Sequence, residues 1–348
     1  IDCGNSGTGI RLMAGLLAGQ DFFTVLTGDE SIRRRPMGRV VKPLRAMGAT
    51  IAGRKGGELA PLAITGTRLK GMSYESPVAS AQIKSSLLFA SLYADGLTTI
   101  SEPRLSRDHT ERMFAYFGIP FHRDGCTVRI EGRPSIRWSG KTVVVPGDLS
   151  AAAFFIVGAS IVPDSDVTVL SVGMNPTRTG LLDILRQMGA HIEVLNPREE
   201  AGEPVADLRV RSMPLRGVQI GPEQIPQTID EFPILCVAAA VADGETVITG
   251  AEELRVKESD RIATMAAELR AMGARIEERP DGMVIQGLGR KGANGALTGA
   301  TCASHGDHRV AMSVAIGALT AAQPTQIQDT ACIETSFPNF DRKLLELL

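Results

Sequence analysis

The sequence LRAMGA at Leu269–Ala274 decides the fold, because the chain repeats it. Near-identical copies stand at Leu44–Ala49 and Leu185–Ala190, and a looser copy stands at Phe114–Ile119. Each copy has the pattern of the last turn of a helix, a glycine that caps its C-terminus and a following strand. The copies therefore predict four equivalent helix ends.

A second repeated feature is a short polar cluster that runs directly into an Ala-rich apolar stretch. Such clusters recur about every 75 residues. They are Gly4–Thr8, Ser80–Lys84, Gly147–Ser150, Thr228–Glu231 and His305–Arg309. Ser, Thr, Asp and Asn before an apolar run are typical of a helix N-terminus, whose unpaired N–H groups and dipole attract anions. Several such ends directed at one place would form a pocket for phosphates and carboxylates.

Strand-like runs precede the second helix of each repeat, as at Leu97–Ile100, Val167–Leu170 and Glu245–Ile248. The predicted repeat is strand, capped helix, strand, second helix, strand. A repeat in general suggests a solenoid. A unit of about 70 residues is long for a solenoid, so we favour a compact α/β fold built from several units.

Length and composition limit the classes of protein to which the chain can belong. Its 348 residues suggest two domains, and we predict a boundary near residues 138–141, with domains 1–142 and 143–348. A net charge of −2 argues against generic nucleic-acid binding, and no apolar stretch is long enough to span a membrane. Five cysteines without C-x-x-C spacing predict reduced thiols and a cytoplasmic protein.

The stretch Glu253–Arg261 is dense in charge. Lys257 and Arg261 stand four residues apart and share one helical face, with Glu258 beside them. A carboxylate held by two cations next to an anion site is a candidate proton donor or acceptor. The alternative interpretation is a solvated helix start with local ion pairs.

The cluster His305–Arg309 has two interpretations. His305 and His308 could bind a metal, but no further Cys or His cluster completes a site, and we predict no metal. Alternatively the cluster is a helix cap in which Asp307 accepts backbone N–H groups. Arg309 in the first helical turn lies at the positive end of the dipole, which predicts a compensating anionic ligand.

Two further clusters are candidates for anion binding and proton transfer. Pro36 is predicted to open a helix with Arg35 at its cap, where a guanidinium can bind phosphate through two hydrogen bonds. Asp230 and Glu231 stand together before an apolar run. Capping explains one carboxylate there, and the other is a candidate general base.

Three motifs carry a resemblance to a known family. They are Ser80-Ala81-Gln82-x-Lys84, Arg107-x-His109-x-Glu111 and Asn175-x-Thr177-Arg178. With RPMGR at 35–39 and the segment Lys257–Arg261, they closely resemble the 5-enolpyruvylshikimate-3-phosphate (EPSP) synthase family of the class II bacterial type, over essentially the whole chain. A fourth class II motif, Gly-Asp-Lys, is absent. Taken alone, Asn175 is more typical of an architectural turn.

The resemblance implies a two-domain inside-out α/β barrel, the enolpyruvyl transferase fold, built from βαβαββ units whose helix N-termini converge on a cleft. The chain opens at Ile1, inside a polar cluster. We therefore expect the first domain to be incomplete, with about two units. The absent part would include a Lys-Ser pair and an Arg that contact both substrates, and a complete protein is predicted to be a monomer.

The resemblance also implies a reaction. Phosphoenolpyruvate is joined to the 5-hydroxyl of shikimate 3-phosphate and phosphate is released, a step of the shikimate pathway to aromatic amino acids. No metal and no organic cofactor is needed. Two polyanions repel each other, so a cationic, water-poor site that positions them supplies most of the catalysis.

Site residues follow from the matching motifs. Asp230 would take the proton of the attacking hydroxyl, Glu258 would protonate the methylene carbon, and Lys257 would tune Asp230. Phosphoenolpyruvate would be held by Arg35, Arg261 and Arg309, with Gln82 adjoining both substrates. Shikimate 3-phosphate would be held by Ser80, Ala81, Gln82 and Arg107, and the opening cluster adds Asn5, Gly7 and Thr8 to the substrate-binding residues.

Two other functions stay open. The sister enolpyruvyl transferase that acts on UDP-N-acetylglucosamine shares the fold and the donor, but it usually carries a reactive cysteine in a mobile loop, a context that neither Cys3 nor Cys126 has. The second alternative is a non-catalytic fragment or one half of a split enzyme.

The resemblance also implies that glyphosate inhibits the enzyme. Some glyphosate-insensitive members of the family carry Ala where this chain has Gly7, and the methyl group of Ala would crowd the inhibitor.

Overall fold

Two units make up the computed structural model, which describes residues 1–134, 140–289 and 296–348. Unit 1 is Ile1–Val143 and unit 2 is Val144–Leu348, so the division falls one residue after the predicted 142/143 boundary. Residues 138 and 139 of the predicted boundary segment lie outside the described residues. Each unit has its own hydrophobic core.

Both units contain helices and strands. The α-helices are α1 Gly7–Ala18, α2 Glu30–Arg34, α3 Gly38–Ala46, α4 Arg54–Gly57, α5 Ala81–Ser91, α6 His109–Phe117, α7 Leu149–Ile161, α8 Gly180–Gln187, α9 Phe232–Val241, α10 Arg261–Ala271, α11 His308–Ala318 and α12 Phe340–Leu345. The strands of unit 1 are β1 Phe23–Leu26, β2 Thr50–Gly53, β3 Leu59–Thr65, β4 Ser73–Glu75, β5 Leu97–Ser101, β6 His122–Asp124 and β7 Thr127–Glu131. The strands of unit 2 are β8 Asp166–Gly173, β9 His191–Glu200, β10 Glu203–Arg211, β11 Gln219–Ile220, β12 Asp243–Ile248, β13 Arg275–Arg279, β14 Gly282–Leu288, β15 Thr301–Ala303 and β16 Gln326–Gln328. Short 3-10 helices cover Ile225–Gln227, Glu252–Val256 and Thr330–Thr335.

The sheets repeat one topology. In unit 1 the order β4-β5-β7-β6 places a parallel pair beside two antiparallel pairs, and in unit 2 the order β11-β12-β14-β13 does the same. The smaller sheets have the orders β1-β3-β2, β8-β10-β9 and β15-β16. The strands and helices of a repeat therefore follow the βαβαββ order that the resemblance implied.

All five polar clusters stand at the start of a helix, as predicted. Four of these helices, α1, α5, α7 and α11, have a side chain that accepts a backbone N–H of the first turn; the residues are Ser6, Ser80, Asp148 and Asp307. Helix α9 differs, because its N-cap residue Glu231 makes no such bond. Its carboxylate is therefore available for a contact elsewhere.

Each copy of the LRAMGA repeat ends a helix, which confirms the four predicted helix ends. The glycines of the four copies have φ of +99°, +74°, +95° and +87°, a left-handed conformation that favours glycine; they are Gly48, Gly118, Gly189 and Gly273. The residue after each glycine donates its N–H back to the helix, as Ala274 does to the Leu269 carbonyl at 2.9 Å.

The prediction that Pro36 opens a helix is wrong. Arg35 is instead the C-cap of α2, with an extended backbone, and α3 begins two residues after Pro36, at Gly38. Pro36 forms an isolated antiparallel bridge with Leu59. A proline suits an edge position of this kind as well as a helix start, since both leave its missing N–H unneeded.

The two cores are built around apolar helices. Every residue of α9 is buried, and eleven residues of α7 are buried, so these helices lie inside unit 2. In unit 1, α1 packs against α5 through Gly15. No helix in the described part of the chain is long and apolar enough to cross a membrane.

We predict that Gly15→Ala destabilises the protein by about 3 kcal/mol, because overpacking without room costs this much. A Cβ on Gly15 would lie 1.9 Å from the Ser86 backbone oxygen, so the two helices would have to separate. Gly158→Ala is the matched control. Its Cβ would meet only Ile316 side-chain atoms, at 3.5 and 3.6 Å, and alanine in a helix gains up to about 1 kcal/mol over glycine. Equal urea midpoints for the two variants would contradict the packing argument.

Candidate active site

In unit 1 the N-terminus of α1 is bordered by two guanidinium groups. A Cβ built on Gly7 would lie 2.9 Å from Arg35 Nη1 and 3.0 Å from Arg11 Nη1. Both cations therefore stand at the end of the helix where N–H groups already favour negative charge. Cations at this end repel the helix dipole, so the arrangement suits an anion that compensates for both.

Arg11 is a buried cation that sequence reasoning missed. Its guanidinium donates to the Gly7 carbonyl at 3.2 Å, to Gln82 Oε1 at 2.8 Å and to the Pro36 carbonyl at 3.1 Å. Burial, followed by repulsion from Arg39 and Arg35, lowers the pKa of Arg11 to about 10. Arg11 could have been predicted from the sequence, because it stands four residues after Gly7 and so lies on the same face of α1.

Gln82 joins the N-termini of α1 and α5. Besides accepting from Arg11, its amide donates to Thr8 Oγ1 at 2.9 Å. Asn5 of the same opening cluster donates to Asp29 Oδ2 at 2.6 Å. The predicted residues Gly7, Thr8 and Gln82 are thus brought together with Arg35, whereas Asn5 contacts the cap of α2.

The N-terminus of α5 is held by a buried group of charges. Ser80 donates its backbone N–H to Glu102 Oε1 at 3.0 Å, and Glu102 Oε2 lies 3.0 Å from Lys84 Nζ. Glu111 completes the group, with Oε1 2.8 Å from the same ammonium. Two of the recognised motifs therefore meet inside unit 1 through Lys84 and Glu111, and Glu102 was not predicted.

Arg107 and His109 flank the start of α6. Arg107 is half-buried, and Asp108 is the N-cap residue of the helix. The Asp108 carboxylate accepts from Arg112 at 2.9 Å and from Arg123 at 3.0 Å. Asp108 thereby fixes the backbone on which Arg107 stands.

In unit 2 a single arginine is the centre of the charged cluster. The Arg261 side chain is 1% exposed; its Nε lies 2.8 Å from Asp307 Oδ2 and its Nη2 lies 2.8 Å from Glu258 Oε2. Its Nη1 lies 3.9 Å from Asp230 Oδ1. The sequence predicts Glu258 beside Arg261 and proposes Asp230 separately, and the fold brings both carboxylates to this one guanidinium.

The buried pair Arg261–Asp307 stays charged. Burial acts to lower the pKa of Arg261, but Asp307, Glu258 and Asp230 outweigh it and raise the pKa above its ordinary value. Burial likewise acts to raise the pKa of Asp307, but Arg261 outweighs it and the pKa is lowered. Asp307 also accepts the Arg309 backbone N–H at 2.9 Å. The predicted helix cap is therefore confirmed, and the same carboxylate also binds Arg261.

The two neighbouring carboxylates Asp230 and Glu231 have different environments. Glu231 is buried and accepts a hydrogen bond from Ser150 Oγ, and Ser150 in turn accepts from Arg178 at 2.5 Å. Burial, and after it the charge of Asp230, raises the pKa of Glu231. The Asp230 side chain is 23% exposed. Of the two, Asp230 is therefore the one that a substrate can reach.

Lys257 and Arg309 complete the predicted residues. The prediction that Lys257 and Arg261 share one helical face is wrong, because Lys257 follows the 3-10 helix Glu252–Val256 with an extended backbone and Arg261 is the first residue of α10. Lys257 Nζ lies 2.8 Å from Glu253 Oε1, and a tuning contact with Asp230 stays a prediction. Burial and the charge of Arg309 lower the pKa of His308. Within residues 1–134, 140–289 and 296–348, no group of three or more His, Cys, Asp and Glu side chains is arranged to hold a metal.

Comparisons with known proteins agree with this arrangement. A family model described as EPSP synthase (3-phosphoshikimate 1-carboxyvinyltransferase) matches residues 1–344. The 3-phosphoshikimate 1-carboxyvinyltransferase of Geobacter sulfurreducens is 58% identical over 340 residues, covering 98% of this chain and 77% of the relative. The protein of the same name from Desulforudis audaxviator is 56% identical over 347 residues, covering 100% and 79%.

Solved structures give the same result. EPSP synthase from Acinetobacter baumannii superposes with a TM-score of 0.90 at 45% identity, covering 99% of this chain and 78% of that chain. The enolpyruvyl transferase NikO from Streptomyces tendae has a TM-score of 0.74 at 17% identity, which shows the fold alone. The predicted family, fold and enzyme class are confirmed. Matched over nearly its whole length and more than half identical to named relatives, this chain belongs to the EPSP synthase family, the 3-phosphoshikimate 1-carboxyvinyltransferases.

Proposed function

We propose that this chain transfers the enolpyruvyl group of phosphoenolpyruvate to the 5-hydroxyl of shikimate 3-phosphate, with Asp230 and Glu258 moving the protons. The observation that carries this assignment of roles is the shared guanidinium of Arg261, 2.8 Å from Glu258 and 3.9 Å from Asp230. A proton acceptor and a proton donor are thereby held on one cation, within reach of an anion that the cation also attracts.

The proton transfers balance without a cofactor. Asp230 accepts the proton of the 5-hydroxyl while Glu258 protonates the methylene carbon, so a C–O bond forms at the adjacent carbon. Loss of phosphate then breaks the other C–O bond, and the departing phosphate oxygen takes the proton that Asp230 accepted, which returns Asp230 to its carboxylate form. A proton must leave the new methyl group to restore the double bond, and Glu258, by then a carboxylate, accepts it.

Arginine side chains and helix N-termini would hold the two anionic substrates. We assign Arg35, Arg261 and Arg309 to phosphoenolpyruvate, and Ser80, Ala81, Gln82 and Arg107 to shikimate 3-phosphate. Support comes from the position of Arg35 at the N-terminus of α1 and from the capped N-terminus of α5 at Ser80. Asn5, Gly7 and Thr8 border the same helix start, and Lys257 would lie near the hydroxyl.

The reaction predicts phosphate release when the chain is mixed with phosphoenolpyruvate and shikimate 3-phosphate. UDP-N-acetylglucosamine is the control acceptor, because the sister transferase would use it. Release with the control acceptor alone would favour that rival. If a folded chain, as judged by cooperative thermal unfolding, released no phosphate with either acceptor, the non-catalytic alternative would stand instead.

We also propose that glyphosate inhibits the enzyme in competition with phosphoenolpyruvate. Gly7 leaves space beside Arg35 and Arg11, and a methyl group there would meet their guanidinium ends at about 3 Å. Gly7→Ala should therefore weaken glyphosate inhibition by a larger factor than it raises KM for phosphoenolpyruvate. Gly158→Ala, distant in sequence and without a clash, is the control. An inhibition constant for the unmodified chain far above its KM for phosphoenolpyruvate would contradict the proposal.

A monomer located in the cytoplasm is the final part of the proposal. All five cysteines are thiols, as a reducing compartment would keep them. Sedimentation velocity measures the oligomeric state, and a dominant dimer would contradict the monomer.

A further inference from the structure

Three charged side chains are buried in unit 1, and the proposed reaction assigns no role to them. Lys84, Glu102 and Glu111 have side chains that are 2%, 1% and 3% exposed. A buried ion pair often contributes little more stability than apolar residues of the same size would. Stability alone therefore does not explain why this part of unit 1 contains three buried charges.

Glu102 connects two segments of the chain with its two carboxylate oxygens. Oε1 accepts the backbone N–H of Ser80 at 3.0 Å, and Oε2 accepts from Ser106 Oγ at 2.8 Å. Ser80 begins the segment Ser80–Gln82, and Ser106 directly precedes Arg107. One carboxylate thus holds both of the segments that we assign to shikimate 3-phosphate.

The contact with Ser80 supplies a part that its own helix lacks. In a capping box, the third residue of the helix is a Glu or Gln whose side chain accepts the N–H of the N-cap residue. The third residue of α5 is Ile83, which is buried and apolar. Glu102, 22 residues away, accepts that N–H instead.

Lys84 holds the Glu102 carboxylate in place, and Glu111 holds Lys84 from its other side. Lys84 Nζ lies between Glu102 at 3.0 Å and Glu111 at 2.8 Å. Next to this group, the Ser85 and Thr110 hydroxyls are 2.6 Å apart and join α5 to α6. Without the ammonium, two buried carboxylates would lack a counter-charge, which is costly in a low dielectric.

We propose that Glu102, oriented by Lys84, is a positioning residue for shikimate 3-phosphate, setting the separation between the N-terminus of α5 and Arg107. The inference rests on the proposed function. It predicts that Glu102 acts on the binding of one substrate and not on that of the other.

The test compares substrate constants in Glu102→Gln. The amide keeps the size, but it places an N–H donor against the donors of Lys84, Ser80 or Ser106. We expect KM for shikimate 3-phosphate to rise about 10- to 100-fold, as for loss of a charged hydrogen bond, and KM for phosphoenolpyruvate to change less than about threefold. Calorimetric titration with shikimate 3-phosphate should show the same loss of affinity.

Three variants complete the experiment. Glu268→Gln alters a buried carboxylate of unit 2, which accepts from Ala303 N at 3.0 Å, and should leave KM for shikimate 3-phosphate unchanged. Ser106→Ala removes one hydrogen bond at a half-buried site and serves as the substitute if Glu102→Gln does not fold. It should raise KM for shikimate 3-phosphate by a smaller factor and leave KM for phosphoenolpyruvate unchanged. The double variant Lys84→Met/Glu102→Gln should raise KM for shikimate 3-phosphate by less than the product of the two single effects, because Lys84 acts through Glu102.

The outcomes separate the inference from the function on which it rests. Unchanged affinity for shikimate 3-phosphate with a lowered Tm would make Glu102 purely structural and overturn the inference. Equal rises in both KM values would overturn it as well. If the unmodified chain neither released phosphate nor bound shikimate 3-phosphate, the proposed function would fail first, and the inference with it.

Discussion

Asp230→Asn should lower kcat about 10²- to 10⁴-fold, the range that a positioned general base contributes. The asparagine keeps the size of the side chain and cannot accept the hydroxyl proton. Binding of shikimate 3-phosphate should change little, since the proposed contacts of that substrate in unit 1 are untouched. Steady-state kinetics with both substrates measures the two effects separately.

Glu231→Gln is the matched control for this prediction. Glu231 is the adjacent carboxylate, but it is buried and bonded to Ser150, and Ser150 still has its hydroxyl proton to donate because Arg178 donates to its oxygen. We expect kcat to fall less than about tenfold, an effect below that of a lost general base. Similar losses in the two variants would mean that Asp230 is not the base.

Arg261→Leu should reduce the free energy of unfolding by about 3–5 kcal/mol, the cost of leaving a buried charge without its partner. Asp307 is fully buried, and Arg261 is its cation at 2.8 Å. The variant should also lose saturable binding of phosphoenolpyruvate. Urea unfolding followed by circular dichroism gives the first quantity, and calorimetric titration gives the second.

Arg255→Leu is the comparison for Arg261→Leu. Arg255 also contacts two carboxylates, Asp260 at 2.8 Å and Glu278 at 3.0 Å, but its side chain is 27% exposed. Solvent screening limits such pairs to about 1 kcal/mol. In the double variant Arg261→Leu/Asp307→Asn, part of the stability should return, because the unpaired charge is gone. A loss in Arg261→Leu no larger than that in Arg255→Leu would contradict the buried-charge argument.

The starts and ends of the repeated helices could be predicted because their signals are local. A cap such as Ser80 satisfies an N–H three residues ahead, and a glycine such as Gly273 relieves a left-handed backbone at its own position. The prediction for Pro36 was wrong because the local chemistry of proline fits both a helix start and an edge bridge.

Residue types and spacing also identified the family and the candidates Asp230, Glu258 and Arg261. Their chemistry is visible in a linear sequence, since carboxylates and guanidinium groups suit proton transfer and anion binding wherever they stand. Their order and motifs, matched against the family, supplied the reaction.

Only the tertiary structure decided which charges meet. Arg11 contacts Gln82 71 residues away, Arg261 contacts Asp307 46 residues away, and Ser150 contacts Glu231 81 residues away. Glu102 has no distinguishing pattern in the sequence, and its role depends on packing that brings Ser80, Lys84 and Ser106 to one carboxylate. Local signals are set within one helical turn, whereas the partner of a buried charge is chosen by how distant segments pack and exclude water.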